Sequence, residues 1–416
     1  MREGSGTIGH VDVALVESLT SGSGRALLDS LGDYADQEAL ALSTRLRAQG
    51  HDPGLVTAAL AQARLRARAA EKFGSAAATL LFTADGLEQA TRPELADRHA
   101  ERFVGAGIDL VHDLGCGIGS DARAFAAAGM SVDAVDADPV TAAVAAANLR
   151  ERPGTTVRCL PAQEVALPAG EAARHTGVWA DPARRVSGVR AVDGRARRVF
   201  SLQAIEPSWE QVCRWAAQVP ATGAKLSPAF PHGALPSGAE AQWTSWRAEV
   251  LECVVWWGPL VQTPGRTAAV CRPGSPPAVV TEADLRPAQP VESLDDLGPW
   301  LLEADRAIVR AGLTGALPGR ELSPGIGYAT DGAASTLPWL RSYAVIEAMP
   351  LRPKVIRSWL RSHEVGRVTV KKRGSAVDPE RLRREVTAGL ARLEGEATLV
   401  VTTIAGTGIA LVVEAG

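Results

Sequence analysis

Residues 108–128 read IDLVHDLGCGIGSDARAFAAA. An apolar run ends in Asp113, three glycines follow at alternate positions (Gly115, Gly117, Gly119), and an alanine-rich stretch with helical character begins at Ser120. Strand, acidic residue, glycine turn and helix in that order form the first βα unit of a doubly wound sheet. The turn uses glycine because the backbone must bend sharply and come close to a ligand. The open amides at the start of the following helix favour a negative group, such as a carboxylate. A second strand candidate, SVDAVDA (131–137), carries Asp136 seventeen positions after Gly119. An acid at that place can accept both hydroxyls of a ribose.

Outward from this unit, strand and helix patterns alternate. Strands are expected at 155–160, 177–181 and 224–230, with helices at 120–128, 139–150 and 207–218. The segment 242–272 suits the last strands. Alternation of this kind predicts a parallel sheet with helices on both faces. Upstream, leucines at three-to-four spacing predict helices over 34–74, interrupted at Pro53-Gly54. Arg64, Arg66, Arg68 and Lys72 on that stretch read as a solvated face or a basic grip. Residues 1–30, rich in Gly and Ser, are expected to fray. In 80–103, Thr83 precedes a short helical run and TRPE (91–94) reads as a cap with proline in the first turn.

Downstream, the proline-rich segment 272–293 reads as a linker with a domain boundary near Gly274. A second α/β unit is expected after it. It has a helix near 301–311, a strand at 342–349, a helix at 352–363, a strand at 367–373, a helix at 379–393 and a terminal hairpin turning at Ala405-Gly406. No internal repeat is evident. The expected division is an N-terminal helical region (1–100), a cofactor-binding α/β domain (101–274) and a C-terminal α/β domain (275–416).

The 416 residues are 46% hydrophobic and 22% charged, which is the balance of a folded protein. A net charge of −3 excludes a uniformly basic nucleic-acid coat, so any such surface is local. Five cysteines without CxxC spacing argue against a disulfide framework and against a metal site. The first residues lack the apolar core of a signal peptide, and the most apolar stretch is too short for a membrane span. A soluble cytoplasmic protein with no membrane or metal partner is expected.

The fourth strand runs into WADPARR, so Asp181, Pro182 and Arg184 are candidate catalytic residues. Arg185 and Lys225 are candidate substrate contacts: a double arginine can bind phosphate bidentately or stack on a base. Lys225 reads equally as a surface lysine near the start of the fifth strand. Between Arg341 and Arg373 nine cationic residues face only two acids, Glu347 and Glu364. Lys371, Lys372 and Arg373 close that run, with Tyr343 and Trp359 among it. Such a patch can track a phosphate backbone.

DLGCGIGSD, VDADP, WADPARR, KLSP and the lead-in FTADGLEQATRPELADRHAERF together resemble class I S-adenosylmethionine-dependent methyltransferases that carry a C-terminal THUMP-like domain. The core is also distantly similar to trimethylguanosine synthase. The resemblance covers the chain from about residue 80 to the end. It implies S-adenosyl-L-methionine as cofactor. Asp113 and the backbone of Gly115, Gly117 and Gly119 would meet its methionine part, Asp136 its ribose, and Gln163 or Glu164 its adenine. Asp138 is either a further contact or a helix cap. Cys116 reads as a small filler of the turn.

Amino-group methyltransferases commonly continue the acid-proline pair with a second proline and an aromatic ring. Here Asp181 and Pro182 remain and an arginine stands where the ring would be. Asp-Pro-Ala-Arg looks like the motif of RNA uracil methyltransferases acting at ring carbon, but their Ser-Cys-Asn-Pro nucleophile is absent. The resemblance implies RNA, ribosomal or transfer, as the substrate class, by direct methyl transfer to a base. A protein or small-metabolite methyltransferase, and a non-catalytic binder with an inherited cofactor fold, are the alternatives.

Overall fold

The structure, a computed structural model, describes residues 12–32, 34, 39–184 and 202–416. The chain divides into two compact units. The first holds residues 1–225 and 256–261, the second 226–255 and 262–416.

The first unit opens with α1 (Val13–Thr20) and α2 (Gly22–Ser30), where fraying was expected. Local chemistry explains the difference. Asp12 caps α1 by accepting the Leu15 amide at 2.8 Å, and Ser21 caps α2 by accepting that of Gly24 at 3.1 Å. Gly24 marks close helix packing, since a Cβ there would lie 2.1 Å from the Ser18 carbonyl. Residues 1–11 of the same expectation lie outside the described residues. Then come α3 (Ala39–Ala48) and α4 (Pro53–Phe73). Asp52 caps α4, so Pro53 starts a helix instead of interrupting one. Val16, Leu19, Leu28, Val56, Ala59 and Phe73 bury together with Leu80, Leu81 and Phe82, and reach Ile118 in the glycine turn.

Residues 80–82 run into α5 (Ala84–Gln89), capped by Thr83 as expected, and α6 (Pro93–Gly105). Two side-chain amides satisfy the backbone of this lead-in. Gln62 donates to the Phe82 carbonyl at 2.7 Å and accepts its amide at 2.9 Å. Asn148 accepts the Leu81 amide and donates to the carbonyls of Leu81 and Ile118.

The α/β core follows in chain order: β1 (Leu110–Leu114), α7 (Ser120–Ala127), β2 (Ser131–Asp136), α8 (Pro139–Leu149), β3 (Thr155–Cys159) and β4 (Thr176–Ala180). After them come a short ladder of β5 (Ala183–Arg184) with β6 (Ile205–Glu206), then α9 (Trp209–Gln218) and β7 (Ala221–Leu226). All pairings in the order β3-β2-β1-β4-β7 are parallel. The strand order reverses between β1 and β4, and in open α/β sheets ligands bind at that point, beyond the carboxyl ends of the strands. The fifth parallel strand starts at Ala221, three residues before the expected start, and Pro228 lies beyond its end. Lys225 therefore stands at the carboxyl end of that strand, not near its start.

Small residues let large rings close the core. Trp179 and Trp256 lie with ring centroids 5.6 Å apart, and Phe103, Phe125 and His99 join them. Gly223 faces both indoles: a Cβ there would sit 2.7 Å from Trp256 and 2.9 Å from Trp179.

In the second unit β8 (Glu240–Trp246) precedes β9 (Glu249–Trp256), whose last residue belongs to the first unit. β10 (Gly265–Arg272) pairs parallel with β8 and antiparallel with β11 (Ser275–Thr281). β11 occupies the start of the expected linker. It ends the strand order, and Pro276 and Pro277 fall where the register shifts, so two missing amide donors are tolerated.

A second sheet of seven strands has the order β13-β14-β12-β15-β18-β17-β16. In chain order these are β12 (Trp300–Ala304), the short α10 (Arg306–Arg310), β13 (Arg320–Glu321), β14 (Tyr328–Asp331), β15 (Leu340–Pro350), α11 (Pro353–Ser362), β16 (Val365–Lys372), α12 (Pro379–Thr387), β17 (Gly395–Ile404) and β18 (Thr407–Ala415). The helix expected over 301–311 is thus a strand followed by one helical turn. β12 is paired on both edges and largely buried, and a short apolar run cannot be told from a buried helix by periodicity. The terminal hairpin turns at Ala405-Gly406 as expected. Ile356, Leu360, Leu382 and Val386 of α11 and α12 pack on Leu399, Val401, Ala410 and Val412. Among the described residues, no helix is long and apolar enough to cross a membrane.

Gly223→Ala has no flexible neighbour to displace, because both indoles are fully buried. It should destabilise the protein by about 1–3 kcal/mol, read as a lowered urea midpoint at unchanged slope.

Candidate active site

Leu114, Ala180 and Ala224 lie side by side in the sheet register, and Val135 is the partner of Leu114 on the other edge. The residues that follow them emerge together at one rim. They are Gly115, Asp136, Asp181 and Lys225.

The turn itself needs its glycines. Gly115 and Gly119 adopt φ of +91° and +85°, and a Cβ on Gly115 would lie 2.9 Å from the Asp181 carbonyl oxygen. At Gly117 (φ +56°) a Cβ would meet nothing within 4 Å, so its backbone borders open space. Cys116 is buried, and burial pushes its thiol well above the ordinary range, so it fills the turn.

Asp136 accepts the Gly117 amide at 3.1 Å and the Asp138 amide at 2.9 Å, which fixes its carboxylate against the turn. Burial raises its pKa against the pull of those two bonds. Asp138 caps α8, accepting the Thr141 amide and hydroxyl at 2.8 and 2.7 Å. Gln163 is exposed on a short turn after β3, and its amide donates to the Glu206 carboxylate.

Asp113 is the anomaly of the site. It is 1% exposed, and among the described residues neither carboxylate oxygen has a hydrogen-bond partner. Burial first, then the neighbouring Asp121 and Asp181, push its pKa well above the ordinary carboxylate range, against Lys225. An isolated buried carboxylate is costly unless it is paired or protonated. A ligand ammonium would supply the missing partner.

Behind the rim lies a chain of polar contacts that the sequence reading missed. Lys225 Nζ is 2.5 Å from Asp181 Oδ2 and 2.9 Å from Thr91 Oγ1. Thr91 Oγ1 lies 2.6 Å from Asp121 Oδ2, and His99 Nδ1 lies 2.8 Å from Asp121 Oδ1. Thr91, expected as a helix cap, therefore turns inward, and Arg92 holds the cap position without a side-chain bond. Burial would raise the Asp121 pKa, but the His99 and Thr91 bonds and the nearby Lys225 hold it below the ordinary range. The inward acid in the first turn of α7 was the available signal. Lys72, read as part of a solvated face, donates to the carbonyls of Leu87 and Glu88. Burial, then repulsion from Lys225 and Arg92, brings its ammonium down to about 8.

Of the remaining candidates, Pro182 follows Asp181 and Arg184 lies in β5; Arg185 lies outside the described residues. In the second unit Lys371 and Arg373 are half-buried around Glu303. Lys371 Nζ lies 3.1 Å from Glu303 Oε2 and also meets the Tyr343 hydroxyl. Arg373 reaches Glu303 at 3.3 Å and the carbonyls of Ala304 and Gly327. Burial opposes ionisation of Glu303, but Arg373 and Lys371 hold its pKa below the ordinary range. Lys372 alone of the three is exposed. No group of three His, Cys, Asp or Glu able to hold a metal occurs among the described residues.

This rim, at the switch point of a parallel sheet, defines a class I methyltransferase. The comparisons agree. Two uncharacterized S-adenosylmethionine-dependent methyltransferases of Mycobacterium tuberculosis, from strains CDC 1551/Oshkosh and H37Rv, are each 30% identical over 361 residues. The match covers 83% of this chain and 91% of each relative. The chain belongs to this family of S-adenosylmethionine-dependent methyltransferases. Residues 340–415 match the THUMP domain-like family, and residues 12–69 match a family described as a domain of unknown function. A crystal structure of a methyltransferase-fold protein from Porphyromonas gingivalis W83 superposes with a TM-score of 0.69 at 18% identity. It covers 92% of this chain and 99% of that one, and shares its fold.

The cofactor is S-adenosyl-L-methionine, and the residues present fit it through an unpartnered acid, an open glycine backbone and a fixed acid at the end of β2. The pH response of the cofactor-free protein follows from Asp113. With its folded pKa raised, the folded state holds a proton that the unfolded state releases. Stability is therefore fullest below the unfolded value of about 4 and falls as pH rises toward the folded value. Asp113→Asn removes that dependence. The variant should match the parent near pH 4, melt at a higher temperature at pH 8, and bind cofactor about 10–100-fold more weakly through loss of a charge-assisted bond. Calorimetric melting and titration check both signs.

Proposed function

We propose that the protein methylates a base of ribosomal or transfer RNA by direct transfer from S-adenosyl-L-methionine. The observation that carries this reading is the combination, in one chain, of Asp181-Pro182 beside the glycine turn and a THUMP domain-like match at residues 340–415. When bound, the cofactor supplies an electrophilic methyl group. Asp113 would hold its ammonium, Gly115, Gly117 and Gly119 its carboxylate side, Asp136 its ribose, and Gln163 would flank the adenine. Asp181 and the Pro182 carbonyl would accept hydrogen bonds from the target group. Displacement of this kind needs chiefly alignment and a polarised lone pair. Arg184 and Arg185, directly after that motif, would contact phosphate or stack on the base.

In the second unit the exposed cations Arg352, Lys354, Arg361 and Lys372 supply the phosphate-tracking charge. Lys354 and Arg361 are seven residues apart on α11, two turns along one face. Lys371 and Arg373 contribute by bracing Tyr343 and Tyr328, over whose rings they sit at 4.6 and 5.0 Å.

The test is tritiated methyl transfer to total RNA from cells that lack the protein, followed by nucleoside analysis. Label should enter one RNA species and one modified base, and Asp181→Ala should lower the rate at least about 100-fold. Label in protein or small molecules, with none in RNA, overturns the reading. The triple variant Lys354→Ala, Arg361→Ala, Lys372→Ala should weaken RNA retention and reduce its salt slope by about 2–3, measured by filter binding from 50 to 200 mM salt.

A further inference from the structure

Thr91, Asp121 and His99 have no part in the reading above, yet they are among the most carefully enclosed polar groups of the first unit. Their exposures are 5%, 6% and 4%. They come from separate places in the chain: Thr91 ahead of α6, His99 within it, and Asp121 in the first turn of α7. Their proximity is therefore a product of the fold.

The hydrogen inventory gives the chain a direction. An ammonium only donates, so Lys225 gives protons to Asp181 Oδ2 and Thr91 Oγ1. The Thr91 hydroxyl, having accepted one bond, gives its single proton to Asp121 Oδ2. Asp121 as a carboxylate only accepts, so His99 Nδ1 is the donor at 2.8 Å. The chain runs without a break from His99 to Asp181.

Packing fixes its far end. The His99 ring lies against Trp179 with centroids 4.4 Å apart, and Trp179 lies on β4 two residues before Asp181, which follows that strand's end. A buried carboxylate is tolerated only when its charge is met. Moving Lys225 toward a ligand would break its bonds to both Asp181 and Thr91 and weaken the compensation of Asp121.

We infer that Lys225 is a positioning residue for the methyl transfer: anchored through Thr91, Asp121 and His99, it holds the Asp181 carboxylate in place at the end of β4 and does not contact substrate phosphate. The inference rests on the proposed role of Asp181 at the target.

The test joins crystal structures of the full-length protein, Lys225→Met and Thr91→Val with single-turnover transfer to RNA at saturating cofactor. Lys225→Met should displace the Asp181 carboxylate and lower the transfer rate at saturating RNA about 10–100-fold, with the half-saturating RNA concentration and cofactor affinity unchanged. Thr91→Val, nearly isosteric and chosen in case the lysine variant folds poorly, should lower that rate in the same direction. It should cause no further loss in the Lys225→Met background, because both act through one chain. Lys225→Arg should restore part of the rate.

An unmoved Asp181 carboxylate in both variants overturns the inference whatever the RNA assay gives. A weaker apparent RNA affinity at unchanged saturated rate also overturns it, in favour of a phosphate contact. If the parent protein transfers nothing to RNA while Asp181 is displaced in the variants, the RNA reading fails and the positioning of Asp181 stands.

Discussion

The site depends on one constraint, the parallel register that sets Leu114, Ala180 and Ala224 abreast with Val135 beside them. A slip of one residue in any strand would turn its side chains to the opposite face. The buried rings of Trp179, Trp256, Phe103 and Phe125 help to prevent this, with Phe103 filling the space left by Gly177 and the two indoles that left by Gly223. Because the register is locked, four candidate positions from four separate stretches of chain reach one rim. Their chemistry is then decided by short distances at that rim.

Two acids at this rim show how environment separates chemically identical groups. Asp121 is buried like Asp113, but it has donors on both oxygens, which hold its pKa below the ordinary range against burial. Asp113 has none and is driven toward the neutral form. One acid serves the architecture. The other is left without a partner among the described residues.

Much of this was legible in the sequence, and the exceptions share a cause. The glycine turn, Asp136 and Asp181 were readable because a backbone requirement or a strand end imposes a fixed local pattern. Thr91, His99 and Asp121 were not, because their roles arise from contacts 22 and 30 residues apart that no local spacing encodes. Lys225 was visible as a lysine, but its place depended on where β7 begins, and that is set by pairing with β4. In the second unit β12 reads equally as helix or strand until its partners are known. The expectation for Lys371 and Arg373 counted charge without seeing that Glu303 lies between them. The N-terminal stretch misled in the opposite way, since Gly24 serves close packing and Ser21 serves a cap.

The lead-in at residues 80–82 has its backbone bonds made by the side chains of Gln62 and Asn148. Asn148 also grips Ile118, inside the glycine turn. The N-terminal helices are thus tied to the glycine turn through two side-chain amides, Gln62 on one side of the lead-in and Asn148 on the other. A substitution at Gln62 would loosen the Phe82 backbone, which adjoins the Leu81 amide that Asn148 holds together with Ile118. A catalogue of cofactor-tuning positions drawn only around the nucleoside would leave out the amide that holds the loop's neighbour in place.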